Sequence, residues 1–214
     1  SSRLFVADSA GTLRLCDVVE GATLAEARGV VPDLVVARLL PASGRVVAGG
    51  RGGEVALWDP ATGAVVRPEG CSGRVRGLIP RPDRDQFVTA SENGESILRD
   101  GCTGRVLWRF HPSEVRPTAF GFDPAGARLA VGDEHGGVSV WSPDDDRRVD
   151  LSGHEQRVNA VAWSPDGTRL ATGSNDRTVR LWDPDTGEEL VTLEGHQGPV
   201  LDIAFDPRGA IAAT

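Results

Sequence analysis

Four side chains in the last third of the chain could do chemistry together. His154, Thr172, Asp176 and Trp182 supply an imidazole, a hydroxyl, a carboxylate and an indole. The first three are the parts of a nucleophilic triad, in which imidazole takes the hydroxyl proton and carboxylate orients the imidazole. Two other stretches point to other chemistries. GGRGGE at 49–54 has the glycine density of a phosphate-cradling loop, and Asp133, Glu134 and His135 are adjacent metal-capable side chains. Neither meets the needs of its chemistry. A Walker-type loop requires a Lys, and all 23 basic residues are Arg, which also excludes a Lys Schiff base. Three adjacent residues on one turn do not converge on an ion, so these read as solvated turn residues. No metal and no cofactor is expected.

The elements that must position the four residues are short. From Gly153 to His196 the chain reads RVNAVAW, RLATGS, TVRLW and ELVTL, joined by SPDG, SNDR and DPDTG. Each run is apolar at alternate positions, the period of a half-buried strand. The Pro, Gly, Asn and Asp between them set turns. The product is a four-stranded antiparallel meander.

The meander repeats. Its third-strand ending falls at Cys16, Trp58, Arg99, Trp141 and Trp182, at steps of 42, 41, 42 and 41 residues. The position of His154 falls at Val30, Cys71, Ser113, His154 and His196, at steps of 41, 42, 41 and 42. Gly precedes four of these five anchors, and Pro112 precedes Ser113. Two independent anchors therefore hold one period across the chain.

Gly-His at the start of a meander, Trp-Asp at the end of its third strand, and this period resemble the WD-repeat β-propeller family. The fold expected from the resemblance is all-β: blades at 29–69, 70–111, 112–152 and 153–194, with partial blades at 1–28 and 195–214. That makes five blades plus one strand, an incomplete arc of a seven- or eight-bladed ring whose missing blades come from the rest of the chain or from another chain. The resemblance assigns His154, Thr172, Asp176 and Trp182 to a structural hydrogen-bonded tetrad rather than to catalysis. The third blade keeps Thr89 but has Cys71, Asn93 and Arg99. The fourth has Ser113, Val131, His135 and Trp141, and the second has Val30, Ala48, Gly52 and Trp58. These blades are expected to rely on apolar packing.

A second pattern concerns partners. Three residues past the anchors lie Asp33, Arg74, Arg116, Arg157 and Pro199. Two residues further on come Val35, Arg76, Thr118 and Asn159, with Asp202 taken as their counterpart in the tail. The resemblance places these at the top face, where partners of such propellers dock. Arg74, Arg76, Arg116, Thr118, Arg157, Asn159 and Asp202 are thus the candidate partner-binding set, and Arg74, Arg116 and Arg157 are expected to be exposed there.

Composition narrows the function. Across 214 residues the net charge is −8, which opposes general binding to nucleic-acid phosphates. No run of 18 apolar residues exists. Cys16, Cys71 and Cys102 form an odd set without a Cys-x-x-Cys pair, expected as buried or half-buried thiols in a reducing, cytoplasmic setting. The opening SSRLFVADSAG lacks the marks of a signal peptide and enters directly on strand-like sequence, as expected of a partial chain. The innermost strands carry almost no acid, so paired carboxylates for acid–base work are not evident. The expected function is a non-catalytic protein-interaction scaffold, a module of a larger bacterial signalling or regulatory protein that binds other proteins or peptides, with neither nucleic acid nor membrane as partner. The alternatives are an architectural spacer, or a propeller enzyme with its site in the central channel.

Overall fold

The computed structural model describes residues 3–111 and 115–213. Pro112 and Ser113, the fourth anchor, and Thr214 lie outside the described residues. The fold is all-β. Among the described residues there are 21 strands in six antiparallel sheets, each strand paired with its neighbour in sequence. The chain divides into two compact units, residues 1–110 and 111–214.

The first unit holds three sheets. They are β1 (Arg3–Ala7), β2 (Leu13–Asp17) and β3 (Thr23–Ala27); β4 (Leu34–Leu39), β5 (Val46–Gly50), β6 (Val55–Trp58) and β7 (Val65–Val66); and β8 (Val75–Pro80), β9 (Gln86–Ser91), β10 (Ser96–Asp100) and β11 (Val106–Phe110). One core joins Leu13, Leu15 and Val30 to Val46 and Trp58; another joins Val47 and Leu57 to Val75 and Phe87. Both cores lie between consecutive sheets.

The second unit holds β12 (Pro117–Phe122), β13 (Leu129–Asp133), β14 (Val138–Ser142) and β15 (Arg147–Leu151); β16 (Val158–Trp163), β17 (Leu170–Ser174), β18 (Val179–Trp182) and β19 (Glu189–Leu193); and the pair β20 (Ile203–Phe205) and β21 (Ile211–Ala213). Its cores join Val138, Val140 and Leu151 to Val158 and Trp182, and Ala171 and Val179 to Val200 and Ile203.

Three local devices recur and explain the period. The Asp that closes the third strand caps the turn after it. Asp17, Asp59, Asp100 and Asp183 each accept the N–H two residues on, at 2.8–3.1 Å, the Asx geometry that lets a short side chain replace a backbone turn bond. A glycine on the second strand admits a valine of the next sheet: a Cβ on Gly132 would lie 2.5 Å from Val158 Cγ1, and one on Gly173 would lie 2.7 Å from Val200 Cγ1. The third device is a bulge in the first strand of every four-stranded sheet. The register slips between Leu34 and Val36, Val75 and Gly77, Pro117 and Ala119, and Val158 and Ala160. The skipped residue is Val35, Arg76, Thr118 or Asn159. A bulge leaves its extra residue out of the ladder and re-aims its side chain.

Candidate functional site

In the fifth sheet the four candidate residues form one hydrogen-bonded chain. Trp182 Nε1 donates to Thr172 Oγ1 at 2.8 Å, Thr172 meets His154 Nε2 at 2.8 Å, and His154 Nδ1 meets Asp176 Oδ2 at 2.8 Å. An indole N–H can only donate, so the hydroxyl accepts from it and gives its own proton to Nε2. The imidazole proton therefore sits on Nδ1 and goes to the carboxylate. Asp176 also accepts the Thr178 N–H at 2.9 Å and hydroxyl at 2.6 Å. Burial pushes the His154 pKa down, which suits the neutral ring the chain requires. Burial also opposes ionisation of Asp176, but the bonds from Thr178 and His154 outweigh it and bring its pKa to about 2.

This arrangement does not perform triad chemistry. A nucleophile must reach a substrate, whereas Thr172 is fully buried and committed to the indole on one side and the imidazole on the other. What the chain does is tie the loop at 153–155 to the second and third strands and satisfy the N–H of a buried Trp.

The other sheets treat this position differently. In the third sheet the indole position holds Arg99, fully buried, and the expectation of apolar packing there is corrected. Its Nε donates to Thr89 Oγ1, Nη1 to Gly104 O and Nη2 to Gly70 O, each at 3.3 Å, and Nη2 lies 3.8 Å from Cys71 Sγ. The guanidinium thus spans the volume that indole and imidazole fill in the fifth sheet. In the fourth sheet Trp141 Nε1 donates to Ser139 Oγ at 2.9 Å, two residues back on its own strand rather than across to the apolar Val131. In the second sheet Ala48 offers no acceptor, and the buried Trp58 Nε1 meets no partner.

The residues three past the anchors occupy one structural position. Asp33, Arg74, Arg116 and Arg157 each accept, through the backbone carbonyl, the N–H that opens the hairpin between second and third strands: Arg51, Glu92, Glu134 and Asn175, at 2.9–3.1 Å. Of the three arginines only Arg157 is exposed; Arg74 and Arg116 are half-buried, which corrects the expectation of three exposed guanidiniums.

The next set requires more correction. The bulge turns Thr118 and Asn159 toward the following sheet, so they are not a free polar rim. Thr118 Oγ1 donates to Val158 O at 2.5 Å, and Asn159 Nδ2 donates to Val200 O at 2.9 Å. These polar atoms hold sheets together. Arg76 is engaged too, pairing with Glu92 at 2.5 Å. Asp202 is not their counterpart: Val200 takes the place of Val158 against its glycine, so Leu201 corresponds to Asn159 and Asp202 to the buried Ala160. Asp202 is exposed and caps the N–H of Ile203.

The remaining stretches are turns, with two differences from expectation. Asp133 is buried, not solvated; its Oδ1 accepts from His135 N at 2.8 Å and Gly137 N at 2.9 Å. Cys102 is exposed, whereas Cys16 and Cys71 are half-buried, and all three are free. GGRGGE forms the hairpin between β5 and β6, closed by Gly50 N on Glu54 O at 2.9 Å. Among the described residues no three His, Cys, Asp or Glu side chains gather as a metal site. Among the described residues no helix is long and apolar enough to cross a membrane.

Sequence and structure comparisons extend the pattern. The family model described as outer membrane protein assembly factor BamB matches residues 9–150. The model described as WD domain, G-beta repeat, matches residues 146–183 and 187–214. No curated protein matches the chain. The crystal structure of the computationally designed Ika8 protein is similar, with a TM-score of 0.84 and 25% identity over 96% of this chain. The match covers 63% of that protein, so this chain spans less than two thirds of its length.

Proposed function

We propose that this chain, which belongs to the WD-repeat β-propellers and over residues 9–150 to the repeat family described as outer membrane protein assembly factor BamB, is a non-catalytic scaffold that binds other proteins or peptides. WD repeats generally do such work, and the BamB description, an assembly factor, names work of the same class. The observation that carries the reading is how the polar side chains divide. The His154–Thr172–Asp176 chain is buried and spent on an indole. Beside the hairpins, Arg74 Nε meets no acceptor and the Arg157 side chain is exposed. These guanidiniums, one exposed and one half-buried, suit recognition of carboxylates.

The reading includes a place in a larger bacterial signalling or regulatory protein, on the Arg-only basic composition, and a cytoplasmic setting, on three free cysteines. A random peptide library selected on the immobilised chain tests the core of it. Binders are expected whose affinity falls in Arg157→Glu or Arg74→Gln and is unchanged in Arg208→Glu, on the exposed turn between β20 and β21. A library that yields no binder, or only binders indifferent to both hairpin-side changes, overturns the scaffold reading.

A further inference from the structure

One recess in the first unit has the composition of a receptor for a specific chemical group. Ser9, Asp33, Leu34, Val35, Arg51 and Arg74 line a space of about 390 Å³ where the first three sheets meet. Arg51 is exposed on the β5–β6 hairpin, and Arg74 reaches in half-buried from the start of the next sheet. Neither guanidinium has an ion-pair partner among the described residues. Arg74 Nε is shielded from solvent and meets no acceptor. A shielded donor without a partner is a group whose desolvation a ligand can offset.

The same position in the neighbouring repeats shows why this recess stands apart. The hairpin-opening residue is Glu92 in the third sheet, Glu134 in the fourth and Asn175 in the fifth. Glu92 neutralises an arginine of its own sheet, Arg76, at 2.5 Å. In the second sheet the position holds Arg51, and the recess keeps two cations against the single carboxylate of Asp33. Nearby Glu54 does not neutralise them, because its carboxylate is turned onto the Gly52 N–H at 3.0 Å.

The hairpin that carries Arg51 is held in place. Arg51 N donates to Asp33 O at 3.1 Å. Gly53 adopts φ 94°, and a Cβ there would lie 2.2 Å from Cys71 O. Asp33 takes φ 45°, a conformation short polar residues tolerate better than most. The two guanidiniums are therefore presented on fixed backbone, which lowers the ordering cost of binding.

We infer that this recess binds a carboxylate of an acidic peptide segment, clasped between Arg51 and Arg74 with Asp33 accepting a backbone N–H of the same segment. Planar guanidiniums match carboxylates in two-point contacts. Leu34 and Val35 provide an apolar wall for the flanking residue. Asp33 sets the peptide apart from a free phosphate, since a dianion would face its carboxylate while a peptide brings a donor to it. The inference rests on the scaffold reading and names the chemistry of its partner.

The test is fluorescence anisotropy with labelled hexaglutamate, hexaglutamine and a phosphoserine peptide of equal length. The wild-type chain, Arg51→Glu, Arg74→Gln and the control Arg208→Glu are compared, with thermal melts to establish that each is folded. Arg51 is exposed, so Arg51→Glu reads binding even where Arg74→Gln loses stability. Hexaglutamate is expected to bind the wild type and the control, and to weaken about tenfold or more in the two recess variants; hexaglutamine is expected not to bind. Equal hexaglutamate binding by wild type and Arg51→Glu overturns the inference, as does a preference for the phosphoserine peptide. The library selection fails separately: binders indifferent to Arg51→Glu that still weaken in Arg157→Glu remove the recess and leave the scaffold, whereas an absence of all binders, or binders indifferent to both Arg157→Glu and Arg74→Gln, removes the scaffold itself.

Discussion

Thr118 and Val158 are joined by a 2.5 Å hydrogen bond from the hydroxyl of one to the carbonyl of the other, across two consecutive sheets and 40 residues of chain. Asn159 repeats the bond to Val200 one sheet further on, at 2.9 Å. The bulge in the first strand frees each side chain from its own ladder and so makes it an inter-sheet clamp. Thr118→Val keeps the shape and removes the donor, leaving a carbonyl unpaired. A loss of about 1–2 kcal/mol is expected in urea unfolding. Hexaglutamate binding should be untouched, because Thr118 holds sheets and not a partner. A variant as stable as the wild type would remove the clamp.

The His154–Asp176 pair makes the fifth sheet acid-sensitive in two stages. Burial holds the imidazole neutral in the folded chain. The unfolded chain takes up a proton below about pH 6.5 that the folded chain refuses. The contribution of His154 is therefore complete above that pH and declines below it. Asp176 is lowered from 3.8 to about 2, so its contribution is present above 3.8 and lost as pH falls toward 2. Thermal melts from pH 7.5 to 2.5 should show both declines, and Asp176→Asn should flatten the lower one. At pH 7.5, Asp176→Ala is expected to cost about 1–3 kcal/mol by taking away the 2.8 Å carboxylate acceptor of the imidazole N–H and leaving only the Thr178 hydroxyl, at 3.3 Å, near it. Melts of Asp176→Ala that match the wild type across the range would refute the pairing.

Trp58 carries a buried N–H without an acceptor, and the register names the residue that should supply one. Ala48 faces Ala56 as Thr172 faces Arg180, so a hydroxyl at 48 falls where Thr172 receives the Trp182 indole. Ala48→Ser is expected to stabilise the chain by about 1 kcal/mol in chemical denaturation. Ala48→Val, with no acceptor, should not. Equal stability of the Ser and Val variants would show that the indole is satisfied in some other way.

Gly132 is the socket for Val158, and a Cβ there would sit 2.5 Å from a valine methyl and 2.8 Å from its Cβ. Gly132→Ala should cost about 1–3 kcal/mol as overpacking. Truncating the knob should restore part of it, so the double variant Gly132→Ala with Val158→Ala is expected to be more stable than the sum of the single losses. Strict additivity of the two changes would show that they do not touch.

Much of the fold was legible in the linear chain, because its causes are local. Alternation along each run, the Asp that caps the turn after the third strand, and the glycines that close the hairpins act over a few residues. Their recurrence at Cys16, Trp58, Arg99, Trp141 and Trp182 exposes the period. The partners of His154 were legible through the resemblance to the WD-repeat family, which assigns His154, Thr172, Asp176 and Trp182 to one network, and not through the repeat itself, since the other blades do not keep the four residue types. Legibility ended where an atom's partner lies one sheet away. Thr118 and Asn159 are polar residues near a strand start, and nothing in their neighbours tells a free rim from a clamp; the bulge decides, by turning each toward a carbonyl about 40 residues on. Arg99 in place of an indole looked like a lost network until folding brought Gly70, Thr89 and Gly104 around its guanidinium. Arg51, inside a glycine-rich turn, carried no signal of its own. Only the stacking of three sheets sets it beside Asp33 and Arg74, because charge acts through space and the chain returns to the same place once per repeat.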